Sequence, residues 1–240
     1  MADKNKVLVS GCLELGIQLT DNQINQFETY YELLVEWNKV MNLTGITEYD
    51  EVMQKHFVDS LSIVRAVDMG QCKKVLDMGT GAGFPGIPIK IVFPHLEVVL
   101  LDSLNKRIKF LNEVIEKLGL SDITAIHGRA EDYAKQKEYR EMFDLCVSRA
   151  VANLSSLCEY CIPYTMLHGK FISYKSGNIE EELENAKNAV FLLGGKMQNT
   201  DKFTLPGSDI ERSLIVIEKV KKTPGKYPRK AGLPAKEPIA

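Results

Sequence analysis

The segment from Val75 to Gly86 reads Val-Leu-Asp-Met-Gly-Thr-Gly-Ala-Gly-Phe-Pro-Gly, and it is the most informative stretch of the chain. It begins in a short apolar run that predicts a buried strand, and a helix is predicted over residues 86–93. Glycines in such a turn let the backbone approach a ligand closely, and the helix that follows offers free N–H groups. The segment therefore predicts a ligand site at the end of the first strand of an α/β sheet.

Two classes of cofactor use a turn of this kind. Residues 81–86 match the G-x-G-x-x-G pattern of dinucleotide-binding proteins, but Pro85 removes an N–H donor that a pyrophosphate requires, and the match lies late relative to the strand. The competing frame is Asp77-x-Gly79-x-Gly81-x-Gly83, in which an acid ends the strand. A carboxylate suits a cofactor that carries ammonium and sulfonium groups, and it would repel a pyrophosphate.

Further acids follow the next two predicted strands. Asp102 ends the second strand, where a carboxylate can hold both hydroxyls of a ribose, and Glu131-Asp132 follow the third, where they can hydrogen-bond an adenine edge. One acid at each successive strand end is the pattern expected for S-adenosylmethionine. The alternative is that these residues cap helices and turns without any ligand.

The rest of the chain predicts the surrounding architecture. Apolar runs alternating with helices predict a parallel sheet covered on both faces, and two final runs without a helix between them predict an antiparallel pair at its edge. We expect a helical cap over residues 1–70, a seven-stranded domain over 71–220 and an extended or mobile basic arm over 221–240. The predicted strands are 75–77, 97–101, 123–127, 143–148, 170–174, 196–204 and 212–220.

The turn and Asp102 resemble the Rossmann-like class I methyltransferases, and further segments resemble one family, the bacterial 16S ribosomal RNA guanine-N7 methyltransferases, formerly glucose-inhibited division protein B. The resemblance implies methyl transfer from S-adenosylmethionine to guanine 527 of the small-subunit RNA. It also implies cofactor contacts at Gly79, Phe84, Ala130, Glu131 and Arg149. The segments that carry it are Trp37-Asn38-Lys39-Val40-Met41-Asn42-Leu43-Thr44, His56-Phe57-Val58-Asp59-Ser60, Gly81-Ala82-Gly83-Phe84-Pro85-Gly86, Asp102-Ser103-Leu104-Asn105-Lys106-Arg107, Ser148-Arg149-Ala150 and Tyr227-Pro228-Arg229-Lys230.

The residues after the fourth strand are compatible with chemistry at guanine N7. Methylation of an exocyclic amine usually uses an Asn/Asp-Pro-Pro-aromatic turn there, where this chain has Ser148-Arg149-Ala150-Val151. Methylation of a pyrimidine carbon needs a nucleophilic cysteine, whereas Cys146 lies within the predicted strand. Guanine N7 has an in-plane lone pair and no proton, so positioning alone can suffice. We expect no general base, with Arg149 orienting cofactor or target and Phe84 available to stack on the base; the alternative for Arg149 is a surface salt bridge.

Basic residues predict contacts with a polyanion. The chain carries a formal net charge of −2, but the segment from Lys219 onward holds seven basic residues and one acid. Lys106 and Arg107 begin the helix after Asp102. Cations in the first turn of a helix are mildly unfavourable because the helix dipole is positive at that end, so a functional reason for them is expected. We expect phosphate contacts from Lys106, Arg107, Lys226, Arg229 and Lys230, the alternative being solvated surfaces.

Composition excludes other classes. No run of 18 apolar residues exists, no signal peptide is apparent, and the five cysteines read as reduced cytosolic thiols, which predicts a cytoplasmic, monomeric protein without a membrane partner. Cys158-x-x-Cys161 lacks the second pair that a zinc site needs, so no metal is expected. His56 and Asp59 are expected to tie the cap to the sheet, or to contact RNA.

Two alternative functions stay open. An NAD-dependent oxidoreductase would explain the G-x-G-x-x-G match, and a non-catalytic, ribosome-associated binding protein would explain the fold. The acidic turn disfavours the first, and the intact Asp77, Gly79 and Gly81 disfavour the second.

Overall fold

The N-terminal part of the chain is helical, as its apolar periodicity predicts. In the computed structural model, which describes residues 4–149, 152–177 and 179–239, α1 spans Lys6–Glu14 and α2 spans Asp21–Met41. A capping box begins α2, because Thr20 accepts from the Gln23 N–H while the Gln23 side chain accepts from the Thr20 N–H. A third helical segment consists of α3 (Tyr49–Val52), a π-helical turn (Met53–Val58) and α4 (Asp59–Leu61).

A seven-stranded sheet follows in the order β3-β2-β1-β4-β5-β7-β6. The first five strands are parallel, and β7 runs antiparallel to both β5 and β6. The predicted parallel sheet with an antiparallel pair at its edge is therefore confirmed. The strands are β1 (Lys74–Met78), β2 (Glu97–Asp102), β3 (Ile123–His127), β4 (Phe143–Ser148), β5 (Thr165–Lys175), β6 (Gly195–Thr204) and β7 (Glu211–Lys219).

Helices connect the strands and cover both faces of the sheet. The helix after the glycine turn is close to its predicted range of 86–93, and the helix predicted after Asp102 is present as well. They are α5 (Gly86–Val92), α6 (Asn105–Lys117), α7 (Ala130–Tyr133), α8 (Leu154–Cys161), α9 (Glu180–Leu192) and α10 (Leu233–Lys236). Within the described ranges, no helix combines the length and apolarity needed to cross a bilayer.

The cap shares its hydrophobic core with one face of the sheet. Phe27, Tyr30 and Phe57 are fully buried and belong to the same cluster as Val75 of β1 and Ile87 of α5. Tyr30 also donates a hydrogen bond from its hydroxyl to the Ala82 carbonyl in the glycine turn. The packing of the cap therefore fixes its helices directly against the turn.

Candidate active site

The glycine turn joins β1 to α5 and has the backbone geometry that its sequence predicts. Gly79, Gly81 and Gly83 have φ angles of 69°, 63° and 96°, a left-handed region that residues with a side chain rarely adopt. At Gly86 a Cβ atom would lie 2.8 Å from Oδ2 of Asp77 and 2.4 Å from Leu100 Cδ2. These glycines are therefore required for the turn to fold closely over the end of β1.

Asp77 lies beneath this turn and organises it. Its Oδ2 accepts hydrogen bonds from the Thr80 hydroxyl at 2.6 Å and the Gly86 N–H at 2.8 Å, while Oδ1 has no partner within the described residues. Burial raises the pKa of Asp77 to about 7, although both hydrogen bonds lower it. From the sequence we predicted that this carboxylate contacts the cofactor. In the structure it lies instead beneath the backbone of the turn, where it hydrogen-bonds Thr80 and Gly86.

A cavity of about 520 Å³ opens at the carboxyl ends of β1, β2 and β3. Four of the eight predicted cofactor residues line it, namely Gly79, Asp102, Ala130 and Glu131. The other four, Asp77, Gly81, Phe84 and Arg149, lie outside its wall. The remaining lining residues include Met78, Leu104, Arg107, Gly128, Arg129, Leu157, Tyr160 and Gly232.

Asp102 and Glu131 supply the acceptor groups of this cavity. Both are buried, and Asp102 accepts from the Leu104 N–H at 2.9 Å, the Gly81 N–H at 2.9 Å and Arg107 Nη1 at 3.0 Å. Gly81 thus supports the site indirectly, through its backbone. Glu131 accepts from the Gly232 N–H at 2.7 Å. Glu131 therefore keeps acceptor capacity for a hydroxyl or amino group in the cavity, whereas a hydroxyl at Asp102 would share that carboxylate with Arg107, whose Nη1 lies 3.4 Å from Oδ1 and 3.0 Å from Oδ2.

A second cavity, of about 600 Å³, lies beside the first, and Ala152 lines both. Its charged lining consists of four cations, Lys55, Arg149, Lys175 and Arg212, and two carboxylates, Asp59 and Glu182. With +4 from the cations and −2 from the acids, the wall carries a net charge of +2. The remaining lining residues are Ile46, His56, Ala152, Asn153, Tyr174 and Ser176.

Arg149 follows β4 and connects the sheet to the cap. Its Nη1 lies 3.1 Å from Asp59 Oδ2 and donates to the carbonyls of Lys55 and His56 at 3.2 and 3.4 Å. Its guanidinium carbon also lies 4.9 Å from the Phe84 ring centroid. The contacts of His56 and Asp59 with Arg149 confirm that this pair ties the cap to the main domain. Ala150 and Val151, which continue the motif quoted above, lie outside the described residues.

Phe84 and His56 stack with ring centroids 4.6 Å apart and planes 20° apart. Since Phe84 is only 6% exposed, its ring is closed to a nucleobase, and the expectation of a stacking platform there is wrong. Burial and the nearby Arg149 charge lower the pKa of His56 to about 3. Its Nδ1 faces Arg149 Nη2, a donor, so the hydrogen-bond network assigns the proton to Nε2, which donates to the Thr44 hydroxyl.

Several residues of the second cavity were missed by the sequence reasoning. Arg212 lies 3.0 Å from Asp59, which precedes it by 153 residues. Lys175 ends β5 and forms an ion pair with Glu182 at 2.6 Å. One signal was present in the sequence: an antiparallel last strand begins at the edge where the parallel strands end, so the start of β7 and the end of β5 meet there.

The C-terminal segment packs on the domain, so the expectation of an extended or mobile arm is wrong for residues 221–239. Arg229 forms two hydrogen bonds of 3.0 Å and one of 2.7 Å with the Glu159 carboxylate, whose side chain is fully buried. Tyr227 is buried as well, and Arg140 donates to its carbonyl at 3.0 Å. The expected phosphate contact of Arg229 is therefore corrected, because its guanidinium is occupied by Glu159.

The other predicted RNA-binding residues differ in their accessibility. Lys106, Lys226 and Lys230 are exposed, whereas Arg107 is half-buried against Asp102 in the first cavity.

Cys158 and Cys161 are buried in α8, where burial raises the pKa of both thiols. In the part of the chain that the structure describes, no group of three or more His, Cys, Asp or Glu side chains is arranged to hold a metal ion.

Comparison with known proteins agrees with this architecture. A family model described as rRNA small subunit methyltransferase G matches residues 23–215. Curated relatives named Ribosomal RNA small subunit methyltransferase G include one from Lachnoclostridium phytofermentans, 55% identical over 235 residues that cover 98% of this chain and 97% of the relative. Another, from Desulforamulus reducens, is 55% identical over 240 residues that cover 100% of both chains.

Among solved structures, TYW2 from M. jannaschii, in complex with AdoMet, has a TM-score of 0.50 at 15% identity and covers 62% of this chain and 69% of that one. This likeness shows the fold alone, which is that of the class I methyltransferases. Because the family model spans most of the sequence and the relatives align over nearly all of it, the chain belongs to the rRNA small subunit methyltransferase G family.

Proposed function

We propose that this protein transfers the methyl group of S-adenosylmethionine to N7 of a guanine in 16S ribosomal RNA, guanine 527 by the family resemblance. The single observation that carries the proposal is the adjacency of two cavities of different chemistry, one rich in acceptors and one cationic, with Ala152 in both walls. The names of the relatives support ribosomal RNA of the small subunit as the substrate. We further propose that the protein acts as a monomer in the cytoplasm on the 30S subunit or an assembly intermediate.

The acceptors of the first cavity fit S-adenosylmethionine. Asp102 ends β2 and can accept from the ribose hydroxyls, while Glu131, which follows β3 and lines the same cavity, can accept from an adenine amine. The backbone of Gly79 lines the same cavity, so a ligand can approach it closely. When bound, the cofactor supplies an electrophilic methyl group on a positively charged sulfur.

The second cavity fits the RNA. Its net positive wall attracts a phosphate backbone, and Lys106, Lys226 and Lys230 are exposed cations that we propose as further phosphate contacts. RNA methylated on a base must present that base unstacked, so the target guanine would enter this cavity as a splayed-out nucleotide.

In the described part of the second cavity, each candidate general base is already held by another group. Both nitrogens of His56 are engaged, by Arg149 and Thr44, the Asp59 carboxylate is held between Arg149 and Arg212, and Glu182 pairs with Lys175 at 2.6 Å. Guanine N7 needs no base, because its lone pair attacks without losing a proton. The side chains therefore act by binding and orienting the guanine against the donor, which is a positioning mechanism.

The test is incorporation of a labelled methyl group from S-adenosylmethionine into naked 16S RNA, 30S subunits and complete ribosomes. The expected product is N7-methylguanine, at one position, on one or more of these substrates. A matched control uses RNA in which that guanine is replaced by 7-deazaguanine, which lacks the N7 lone pair and should accept no methyl group. Methylation of the deaza substrate, or no transfer to any RNA, would contradict the proposal; binding of NAD instead would favour the oxidoreductase alternative.

A further inference from the structure

Asp59 bridges two arginines at the wall of the second cavity. Its Oδ2 lies 3.1 Å from Nη1 of Arg149, and its Oδ1 lies 3.0 Å from Nε of Arg212. The three residues come from separate elements, since Asp59 begins α4, Arg149 follows β4 and Arg212 lies near the start of β7. One carboxylate of the cap thus holds guanidinium groups from two strands of the sheet side by side.

Asp59 is more deeply buried than the two arginines that it binds. The side chain of Asp59 is 5% exposed, whereas those of Arg149 and Arg212 are 17% and 19% exposed and line the cavity. Within the described residues, Nε of Arg149 and Nη2 of Arg212 make no hydrogen bond. Asp59 is therefore covered by the two arginines, which keep donor groups for a ligand in the cavity.

Asp59 is absent from the wall of the first cavity, and among the described residues assigned to the cofactor its side chain pairs only with Arg149 by hydrogen bond or ion pair. The backbone carbonyls of Lys55 and His56 fix Arg149 from a second direction, and the Glu211 carbonyl accepts from Nη1 of Arg212 at 3.1 Å. Each guanidinium is thus held by Asp59 and by backbone, which leaves few orientations open to it.

We propose that Asp59 is a positioning residue that presents Arg149 and Arg212 together as one phosphate-binding site for the RNA segment carrying the target guanine. The inference rests on the proposed function, because it takes RNA as the ligand of the second cavity. Two planar guanidinium groups with fixed orientations match the oxygens of a phosphate better than mobile lysines do. Binding the backbone there would hold the adjacent base against the methyl donor.

The direction in which Asp59→Asn changes KM for RNA separates a positioning role of Asp59 from a general attraction between the cavity and RNA. Replacing the carboxylate by a neutral amide raises the net charge of the cavity from +2 to +3. If the cavity only attracted RNA by its charge, the substitution Asp59→Asn would strengthen RNA binding and lower KM. If Asp59 positions the arginines, the same substitution weakens RNA binding and raises KM for RNA despite the added positive charge.

The experiment compares the wild type with Asp59→Asn, Arg212→Ala and the double variant, with Asp201→Asn as the matched control. Asp201 also binds an arginine, Arg65 at 2.7 Å, but neither residue lines the second cavity. For Asp59→Asn we expect kcat/KM for RNA to fall roughly ten- to a hundredfold, mainly through KM for RNA, with unchanged affinity for S-adenosylmethionine. The double variant should lose less than the two single variants combined, because part of the Asp59→Asn loss acts through Arg212 and the rest through Arg149, and Asp201→Asn should behave as wild type.

Three results would overturn the inference. They are a lower KM for RNA in Asp59→Asn, additive losses in the double variant, and a parallel loss of cofactor affinity, which would indicate a structural role. If Asp59→Asn does not fold, Arg212→Lys replaces it: this variant keeps the charge but not the planar donor pair, and must lose nearly as much activity as Arg212→Ala. A wild-type protein that transfers no methyl group to any RNA contradicts the proposed function, a result distinct from a fully active Asp59→Asn.

Discussion

The Nδ1 atom of His56 lies 3.3 Å from Nη2 of Arg149, so a neutral imidazole accepts a hydrogen bond from a permanent cation. The same ring stacks on Phe84, and its other nitrogen faces the Thr44 hydroxyl at 2.8 Å. A proton added to Nδ1 would bring a second positive charge against the Arg149 guanidinium. This relationship explains why the pKa of His56 is lowered so far below its usual value, with burial as the larger cause and Arg149 as the second.

Acidification should destabilise the protein through His56. The folded pKa is about 3 and the ordinary value is 6.5, so between these values the unfolded state binds one proton more than the folded state. The free energy of unfolding should therefore fall as the pH is lowered below 6.5, by up to about 1.4 kcal/mol per pH unit. Urea unfolding of wild type and His56→Gln at pH 7, 6 and 5 measures the free energy of unfolding of each protein. The stability advantage of the wild type over His56→Gln should shrink toward pH 5. Equal slopes for wild type and His56→Gln would contradict the assignment.

Asp77 should give a pH dependence of the opposite sign. Burial raises its folded pKa to about 7 from 3.8, so between these values the folded state binds the additional proton. Its contribution to stability is full below pH 4 and is lost as the pH rises toward 7. Relative to Asp77→Asn, which does not titrate, the ligand-free wild type should lose stability over that range. Asp68→Asn, at an exposed turn, is the control; a wild type that gains stability over this range relative to Asp77→Asn would show that the carboxylate is ionised when folded.

The Arg229–Glu159 pair should be important for stability. Because the Glu159 side chain is fully buried, Arg229→Met would leave an uncompensated charge in the interior, at a cost of about 3–5 kcal/mol in the free energy of unfolding. The double variant Arg229→Met with Glu159→Leu should recover much of this loss. The exposed Lys187–Glu184 pair provides the control, since Lys187→Met should cost less than about 1 kcal/mol. Urea unfolding measures all four proteins, and a loss below 1 kcal/mol for Arg229→Met would contradict the burial argument.

Lys226 and Lys230 should contribute to the salt dependence of RNA binding. Each is exposed in the C-terminal segment, so each can neutralise one phosphate and release its counterions. Replacing either by Gln should lower the slope of log affinity against log salt by about 0.7–0.9 and weaken binding at low salt. Lys117, exposed at the end of α6 that faces away from both cavities, serves as the control when replaced by Gln. Identical slopes for the lysine variants and wild type across a salt series would remove the segment from the RNA interface.

The sequence allowed the sheet to be predicted strand by strand, because buried parallel strands are continuous apolar runs and the turns between them carry glycine. Local patterns identified Gly79, Asp102 and Glu131, and the family resemblance added Ala130; the structure brings all four together in one cavity. The first three follow strand ends, and parallel strands end at one edge of a sheet, so patterns and topology suffice to place those three. The division into residues 1–70, 71–220 and 221–240 stays a prediction.

The second cavity could not be predicted in the same way. Asp59 and Arg212 are 153 residues apart, and no helix or strand periodicity in the sequence indicates that they are in contact. The C-terminal segment was misjudged for a related reason: a count of charges cannot show that Lys219 is buried against Glu141, or Arg229 against Glu159. Pairing between distant charged side chains depends on the completed packing, and this is where the sequence reasoning failed.

The π-helical turn Met53–Val58 constrains how this segment can vary in length. A π turn contains one more residue than the corresponding α turn, so deleting a residue there would let the segment relax into a regular helix. Because the shortened turn would still complete one revolution, the residues after it would keep their orientation, and Asp59 would still face both arginines. A deletion in the α-helical residues that follow would instead rotate every later side chain by about 100° around the helix axis. A single-codon loss within the π turn is therefore expected to be tolerated better than the same loss just beyond it.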